Sequence, residues 1–296
     1  MKILLFGAGF RGEKYCEQVK NSDIIIQAFV DNNPELTGKQ IADIPVILPC
    51  DIKKQQYDKI IITVGDDKIV SDIRMQLKQN GVKQDKIESL NDIYFNPYEE
   101  QKDPRVLWLK DFANYVYEHG IPGNAAECGV YRGEFAEYIN KYFYDRHLYL
   151  FDTFDGFDSN DVAINIGLED PHYAKSRFAL DKDYFKGANA ELVLRRMPHP
   201  QYCTIRQGYF PDTTEGIQDT FCFVNLDMDL YQPMIAGLRF FWDKMIIGGV
   251  LLLHDYFHPE LKFGVQKAVS DFEVENQLHI CKVPIGDFIS IALVKH

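Results

Sequence analysis

Four side chains at the ends of two apolar runs offer the most chemistry in this sequence. FCFVNLDMDLY (Phe221–Tyr231) carries Asp227 and Asp229, and GGVLLLHDY (Gly248–Tyr256) carries His254 and Asp255. Apolar residues run almost unbroken into each polar end, as in a strand buried on both faces rather than an alternating, half-exposed one. Open parallel sheets collect ligands at the carboxyl ends of their strands. Carboxylates crowded into a buried place are costly unless a cation or a proton offsets their charge. The four residues therefore point to a metal or acid–base site beside a cofactor.

Two glycine-bearing turns supply places for that cofactor. GAGFRG (Gly7–Gly12) fits G-x-G-x-x-G between a strand and a helix. Gly7, Gly9 and Gly12 would let a phosphate approach the backbone at the helix N-terminus, and Asp31 ends the next strand, where a ribose-binding acid would stand. The alternative is a tight strand–helix turn in an incomplete Rossmann half, since the unit reads as only about four strands. The second turn is AECGVYRGEFA (Ala126–Ala136), with Glu127, Gly129, Tyr131 and Gly133. In LYLFDTFDGF, Asp152 ends the following strand, Thr153 comes next, and Phe154 and Phe157 follow. Asp152 is placed to accept both hydroxyls of a ribose, and the two phenylalanines to cover a flat base. Acids at two successive strand ends suit a nucleoside with a cationic or neutral tail better than a pyrophosphate, which favours S-adenosylmethionine (SAM) over NAD in this half.

These turns need a frame. Residues 1–95 alternate strand and helix, with strands expected at Lys2–Phe6, Ile24–Val30 and Lys59–Val64 and helices at Gly12–Lys20 and Lys68–Asn80. The polar stretch 96–104 (NPYEEQKDP) reads as a linker. From 105 to 296 the alternation resumes, with helices at Arg105–His119, Glu134–Phe143, Ala190–Met197, Gln232–Lys244 and Phe263–Asn276 and a closing pair of short strands read as an antiparallel edge hairpin. The expected fold is a small Rossmann-like α/β domain followed by a mostly parallel α/β domain. The weakly periodic segment Asp158–Gly187 reads as a lid or substrate loop, or as a plain surface insertion.

Composition narrows the partners. A net charge of −12 opposes tight binding to a nucleic-acid backbone. The run Met245–Leu253 is about half of the ~20 residues a membrane span needs, so no membrane partner is expected. The N-terminus has no h-region, and the six cysteines form no CxxC pair, so a cytoplasmic protein with reduced thiols is expected.

The segments AECGVYRGEFA, LYLFDTFDGF, IRQGYFPDT, FVNLDMDLYQP and GGVLLLHDYF together resemble the TylF/MycF-type, or macrocin O-methyltransferase, family from Arg105 to Val294. The resemblance implies a class I Rossmann-like methyltransferase domain, SAM as methyl donor, and a sugar or glycoside hydroxyl as acceptor. It also implies a divalent cation, typically Mg²⁺, on Asp227, His254 and Asp255, with Asp227 bordering the cofactor. The family has an acid where this chain has His254. Mg²⁺ prefers oxygen donors, so the change suits a softer ion, or a base working without a metal. The first ~95 residues resemble small Rossmann-like modules that precede sugar-modifying enzymes, some of which bind a nucleotide-linked sugar.

On this reading the methyl group passes in line to a hydroxyl that a base or a cation activates. Asp229 is the first candidate for the base and His254 the second. Were the strand to stay extended, Asp227 and Asp229 would point to one side. Tyr231 and Gln232 are expected to line the acceptor pocket, and Asp212 is either functional or a turn acid. A homo-oligomer is compatible with the resemblance. Two other classes stay open: an NAD-dependent sugar-nucleotide oxidoreductase or epimerase using the first glycine motif, and a non-catalytic nucleotide sensor.

Overall fold

The computed structural model describes residues 1–93, 95–168, 188–259 and 262–296. It divides into two compact units, Met1–Pro97 and Tyr98–His296.

The first unit is a six-stranded sheet with helices α1 (Phe10–Val19) and α2 (Asp67–Gln79). Its strands are β1 (Lys2–Phe6), β2 (Ile25–Val30), β3 (Gln40–Ile41), β4 (Ile44–Ile47), β5 (Lys59–Ile62) and β6 (Ile87–Ser89), in the order β3-β4-β2-β1-β5-β6. All neighbours run parallel except β3 and β4. The sheet is larger than expected because β3 and β6 are two and three residues long, too short to show a period. Along β1, Ile3 and Leu5 pack into one core while Leu4 and Phe6 pack into another, so the unbroken apolar run serves both faces of the sheet.

Among its described residues the second unit holds seven strands: β7 (Asn124–Cys128), β8 (Leu148–Asp152), β9 (Cys203–Gln207), β10 (Phe221–Leu226), β11 (Met245–Leu253), β12 (Cys281–Pro284) and β13 (Ile291–Val294). Their order is β12-β13-β11-β10-β7-β8-β9. The five strands from β11 to β9 are parallel, while β13 is antiparallel to both β11 and β12. This is the Rossmann-like sheet with an antiparallel edge hairpin that the sequence led one to expect. Its helices are α3 (Pro104–Glu118), α4 (Glu134–Tyr142), α5 (Ser159–Leu168), α6 (Ala190–Arg196), α7 (Tyr231–Phe241) and α8 (Lys262–Asn276).

Two apolar layers sandwich this sheet. Leu251 and Leu253 of β11 meet Leu238 and Phe241 of α7 and Val269 and Phe272 of α8, whereas Val250 and Leu252 share a core with Leu109 of α3 and Ile139 of α4. Each fully buried aliphatic or aromatic side chain contributes about 1.5–3 kcal/mol of transfer free energy, which holds the strand ends in fixed register.

The polar segment read as a linker is partly built into this unit. Tyr98 stacks edge-on against Phe135, Glu100 pairs with Lys141 at 2.7 Å, and Asp103 caps α3 by accepting from the amides of Arg105 and Val106. Of the segment read as a lid, 169–187 lies outside the described residues, and its first part forms α5.

Candidate active site

The strand order reverses between β7 and β10: the chain runs outward from β7 through β8 to β9 and returns on the other side as β10 and β11. A crevice forms at the carboxyl ends of strands around such a switch point. Here it is an open cavity lined by Gly129, Tyr131, Asp152, Thr153, Gly156, Phe157, Asp161, Gly208, Tyr209, Phe210, Asp227, Met228, Asp229, Leu230 and Pro233, among others.

The glycine turn makes room for it. Gly129 has φ +85°, and a Cβ there would lie 1.9 Å from the carbonyl oxygen of Asp227, so only glycine lets β7 turn beside β10. Gly133, at φ +77°, starts α4 and faces Val193 and Met197 rather than the cavity. Four residues with side chains also take left-handed φ, one after each of the four central strands: Tyr131, Phe154, Asp229 and Asp255. Each such residue costs about 1–2 kcal/mol unless its surroundings hold it. Asp152 holds two of them. Its Oδ2 accepts from the Tyr131 amide and its Oδ1 from the Phe154 amide, both at 2.7 Å. Burial raises the Asp152 carboxyl above its ordinary value, and these amides pull it back.

Phe154 departs from expectation. Its left-handed turn sends it into the core beside α4, and Phe157 alone of the pair lines the cavity. Glu127 also differs. It is 2% exposed and does not line the cavity, and Oε1 accepts from Asn225 at 2.8 Å while Oε2 finds no partner. Burial pushes it up to about 8, against the pull of Arg105. Thr153 donates from Oγ1 to the Gly156 carbonyl and tightens the cavity rim.

The acids of β10 and β11 converge. Leu226 pairs with Leu253 in register, and the His254 amide donates to the Leu226 carbonyl, so Asp227 and His254 become neighbours one step beyond the ladder. Nδ1 of His254 stands 3.1 Å from Asp227 Oδ1 and 2.9 Å from Asp255 Oδ2. Those are ion-pair distances, but Nδ1 is aligned for a hydrogen bond with neither. Burial disfavours the imidazolium, yet Asp227 and Asp255 outweigh it and raise His254 to about 9. Burial likewise opposes ionisation of Asp227, but His254 and Arg105 hold it below the ordinary carboxylate range, and His254 does the same for Asp255.

Asp229 does not extend β10. The strand ends at Leu226, Asp229 turns at φ +60°, and the Leu230 amide closes back on the Met228 carbonyl at 2.6 Å. The turn still leaves Asp229 on the cavity wall, close enough to Asp255 to help lower its carboxyl. Tyr231 turns away: it donates from its hydroxyl to Asp271 of α8 at 2.7 Å, and neither it nor Gln232 lines the cavity. Asp212 sits in an exposed turn.

Asp227, His254 and Asp255 each offer a donor atom, all within 4.8 Å of one another. Neighbouring ligand atoms of a six-coordinate ion lie about 3 Å apart at bond lengths near 2.1 Å, so the two distances from His254 fit a shared cation. One imidazole with two carboxylates suits a borderline divalent ion better than Mg²⁺.

Two residues of the site escaped the sequence reading. Arg105, in the first turn of α3 and 2% exposed, donates from Nη2 to Asn225 Oδ1 at 2.8 Å and to Asp227 Oδ2 at 3.0 Å, with its guanidinium 3.9 Å above the Phe135 ring. It is a fixed cation beneath Asp227, and its 120-residue separation from Asn225 left no local signal. The other is Asp161 of α5, on the cavity wall.

In the first unit, Gly7 lies at φ +116° against Thr63, and a Cβ on Gly12 would meet the Gly7 carbonyl at 2.5 Å. Gly9 is the N-cap of α1 and has open space around it. Asp31 accepts from the Ala8 and Asn33 amides, each at 2.8 Å, and so ties the glycine turn to the end of β2.

Comparison with known proteins agrees with this geometry. The family model for the N-terminal part of C2185-like proteins matches residues 1–88. The macrocin-O-methyltransferase (TylF) model matches residues 70–287. The O-methyltransferase NovP superposes with a TM-score of 0.52 at 20% identity, over 65% of this chain and 79% of its own, which supports the fold. The calicheamicin methyltransferase CalS11 aligns at 16% identity with a TM-score of 0.49, over 77% of this chain and 92% of its own. No curated protein matches the chain. The matched residues include the glycine turn, the cavity and the acidic strand ends, and this chain belongs to the macrocin-O-methyltransferase (TylF) family.

Proposed function

We propose that the second unit transfers the methyl group of SAM to a hydroxyl of a sugar or glycoside. The observation that carries this is the continuity of the cavity with an acidic cluster through Asp227, which belongs to both. CalS11 is described as a TDP-rhamnose 3'-O-methyltransferase, a sugar substrate that suits the same class of acceptor. Asp152, the Gly129 turn, Tyr131 and Thr153 would hold the nucleoside, and the methyl-bearing sulfur would face Asp227 and Asp229.

Asp227, His254 and Asp255 would hold a borderline divalent cation, which when bound lowers the pKa of an acceptor hydroxyl. Asp229 stands at the cavity wall as the group to take the hydroxyl proton. His254, at about 9, already carries a proton near neutral pH, so it is a poor base there. Arg105 keeps Asp227 ionised and pointed at its neighbours. In the first unit we propose that Gly7, Gly9, Gly12 and Asp31 form a separate nucleotide-binding turn without chemistry of its own.

The test is transfer of labelled methyl from SAM to a panel of sugars, nucleotide sugars and glycosides. Asp227→Ala should lower the rate by about 100-fold or more, the scale of losing a positioned charge at a reacting group. Transfer at the wild-type rate in Asp227→Ala would remove the acidic cluster from the mechanism.

A further inference from the structure

We propose that Asp161 reads the base of the cofactor, accepting a hydrogen bond from the 6-amino group of adenine. The inference rests on the methyl-transfer reading above, because the strand order then fixes how SAM lies. The reacting end belongs beside Asp227 and Asp229 at the end of β10, and the ribose beside Asp152 at the end of β8. The base must continue in the same direction, toward β9, which lies beyond β8.

On the β9 side the cavity is lined by Gly208, Tyr209 and Phe210, which follow that strand, and by Asp161, which meets Tyr209. Phe210 adds apolar surface to this side of the wall. Asp161 is 5% exposed and is the buried acid at this end of the cavity. Among the described residues its carboxylate is held by one neighbour on the wall: the Tyr209 hydroxyl lies 3.1 and 3.0 Å from its two oxygens. One hydroxyl proton cannot satisfy two carboxylate oxygens with about four lone-pair sites between them. Asp158 is differently engaged, its Oδ1 accepting from the Asn160 and Asp161 amides as the cap of α5. An ionised carboxylate only accepts, and the donor on the exposed edge of adenine is its 6-amino group. A buried acceptor at the base end of the cavity is therefore matched to adenine and left unpaired by a purine that lacks the amine.

Calorimetric titration of the whole protein with S-adenosylhomocysteine (SAH) and with its 6-deamino purine analogue tests this without relying on any variant. The wild type should bind SAH roughly 10–100-fold more tightly than the analogue, the range for a hydrogen bond to a charged group. In Asp161→Ala the ratio should fall to within about threefold, and Asp161→Asn, which keeps one acceptor oxygen, should restore part of it. A purely structural role for Asp161 would weaken both ligands together and leave the ratio intact. Equal affinity of the wild type for the two ligands, or an unchanged ratio in Asp161→Ala, overturns the assignment. Failure of the wild type to bind SAH at all overturns the methyl-transfer reading and this inference with it.

Discussion

His254 carries two consequences that can be read by pH. Its folded value of about 9 lies above the ordinary 6.5, so the folded state binds its proton more tightly than the unfolded chain. That stabilisation is fully present below 6.5 and is lost as pH rises through 9. The melting temperature of the metal-free protein should therefore fall across that window, and His254→Gln should flatten this part of the profile. A cation must displace the same proton, so affinity for Mn²⁺ should rise over the same range. A titration showing affinity independent of pH would separate His254 from the cation. Gly129 gives a sharper steric test. Because a Cβ would fall 1.9 Å from the Asp227 carbonyl in a left-handed residue, Gly129→Ala should cost about 2–4 kcal/mol in denaturant unfolding. A cost under about 0.5 kcal/mol, typical of neutral surface sites, would show that the two strand ends are not locked together.

At the scale of elements, α3 is the part that connects sequence to chemistry least visibly. Asp103 caps it, and the first turn it stabilises carries Arg105 to Asp227. Asp103→Ala should cost about 1 kcal/mol, as loss of an N-cap does, and should slow methyl transfer through the loosened Arg105. Unchanged stability and rate would make the cap irrelevant. The strands of the site were legible because an apolar run ending in an acid can be read from a few consecutive residues. The helices of the second unit other than α5 were legible for a similar reason, their spacing being local. The turn at Asp229 was not legible: its shared side with Asp227 depended on extension past Leu226, where the chain instead turns left-handed. The same kind of turn carries Phe154 into the core, which its spacing does not show. Arg105 and Asp161 reach the site through packing between distant elements, and α5 lies in a segment with little periodicity, so no spacing announced either of them.

At the scale of the molecule, the chain carries two units with separate glycine turns and separate strand-end acids, Asp31 in one and Asp152 in the other. If methyl-donor binding belongs to the second unit alone, SAH should raise the melting temperature of Asp31→Ala as much as that of the wild type, by the few degrees that saturation about 100-fold above Kd provides. Loss of the SAH response in Asp31→Ala would mean that the first glycine turn serves the methyl donor after all. Charge also frames the central claim, since Asp227 and Asp229 on the cavity wall, with Asp255 clustered beside Asp227, need a counter-charge beyond Arg105 and His254 once the acceptor oxygen develops negative charge.

The most direct measurement is an anomalous-scattering map of crystals grown with SAH and Mn²⁺. The account predicts SAH in the cavity with its ribose on Asp152 and its sulfur toward Asp229, and a manganese peak bonded to Asp227, His254 and Asp255. SAH bound elsewhere, or manganese absent from those three residues at saturating concentration, would contradict it.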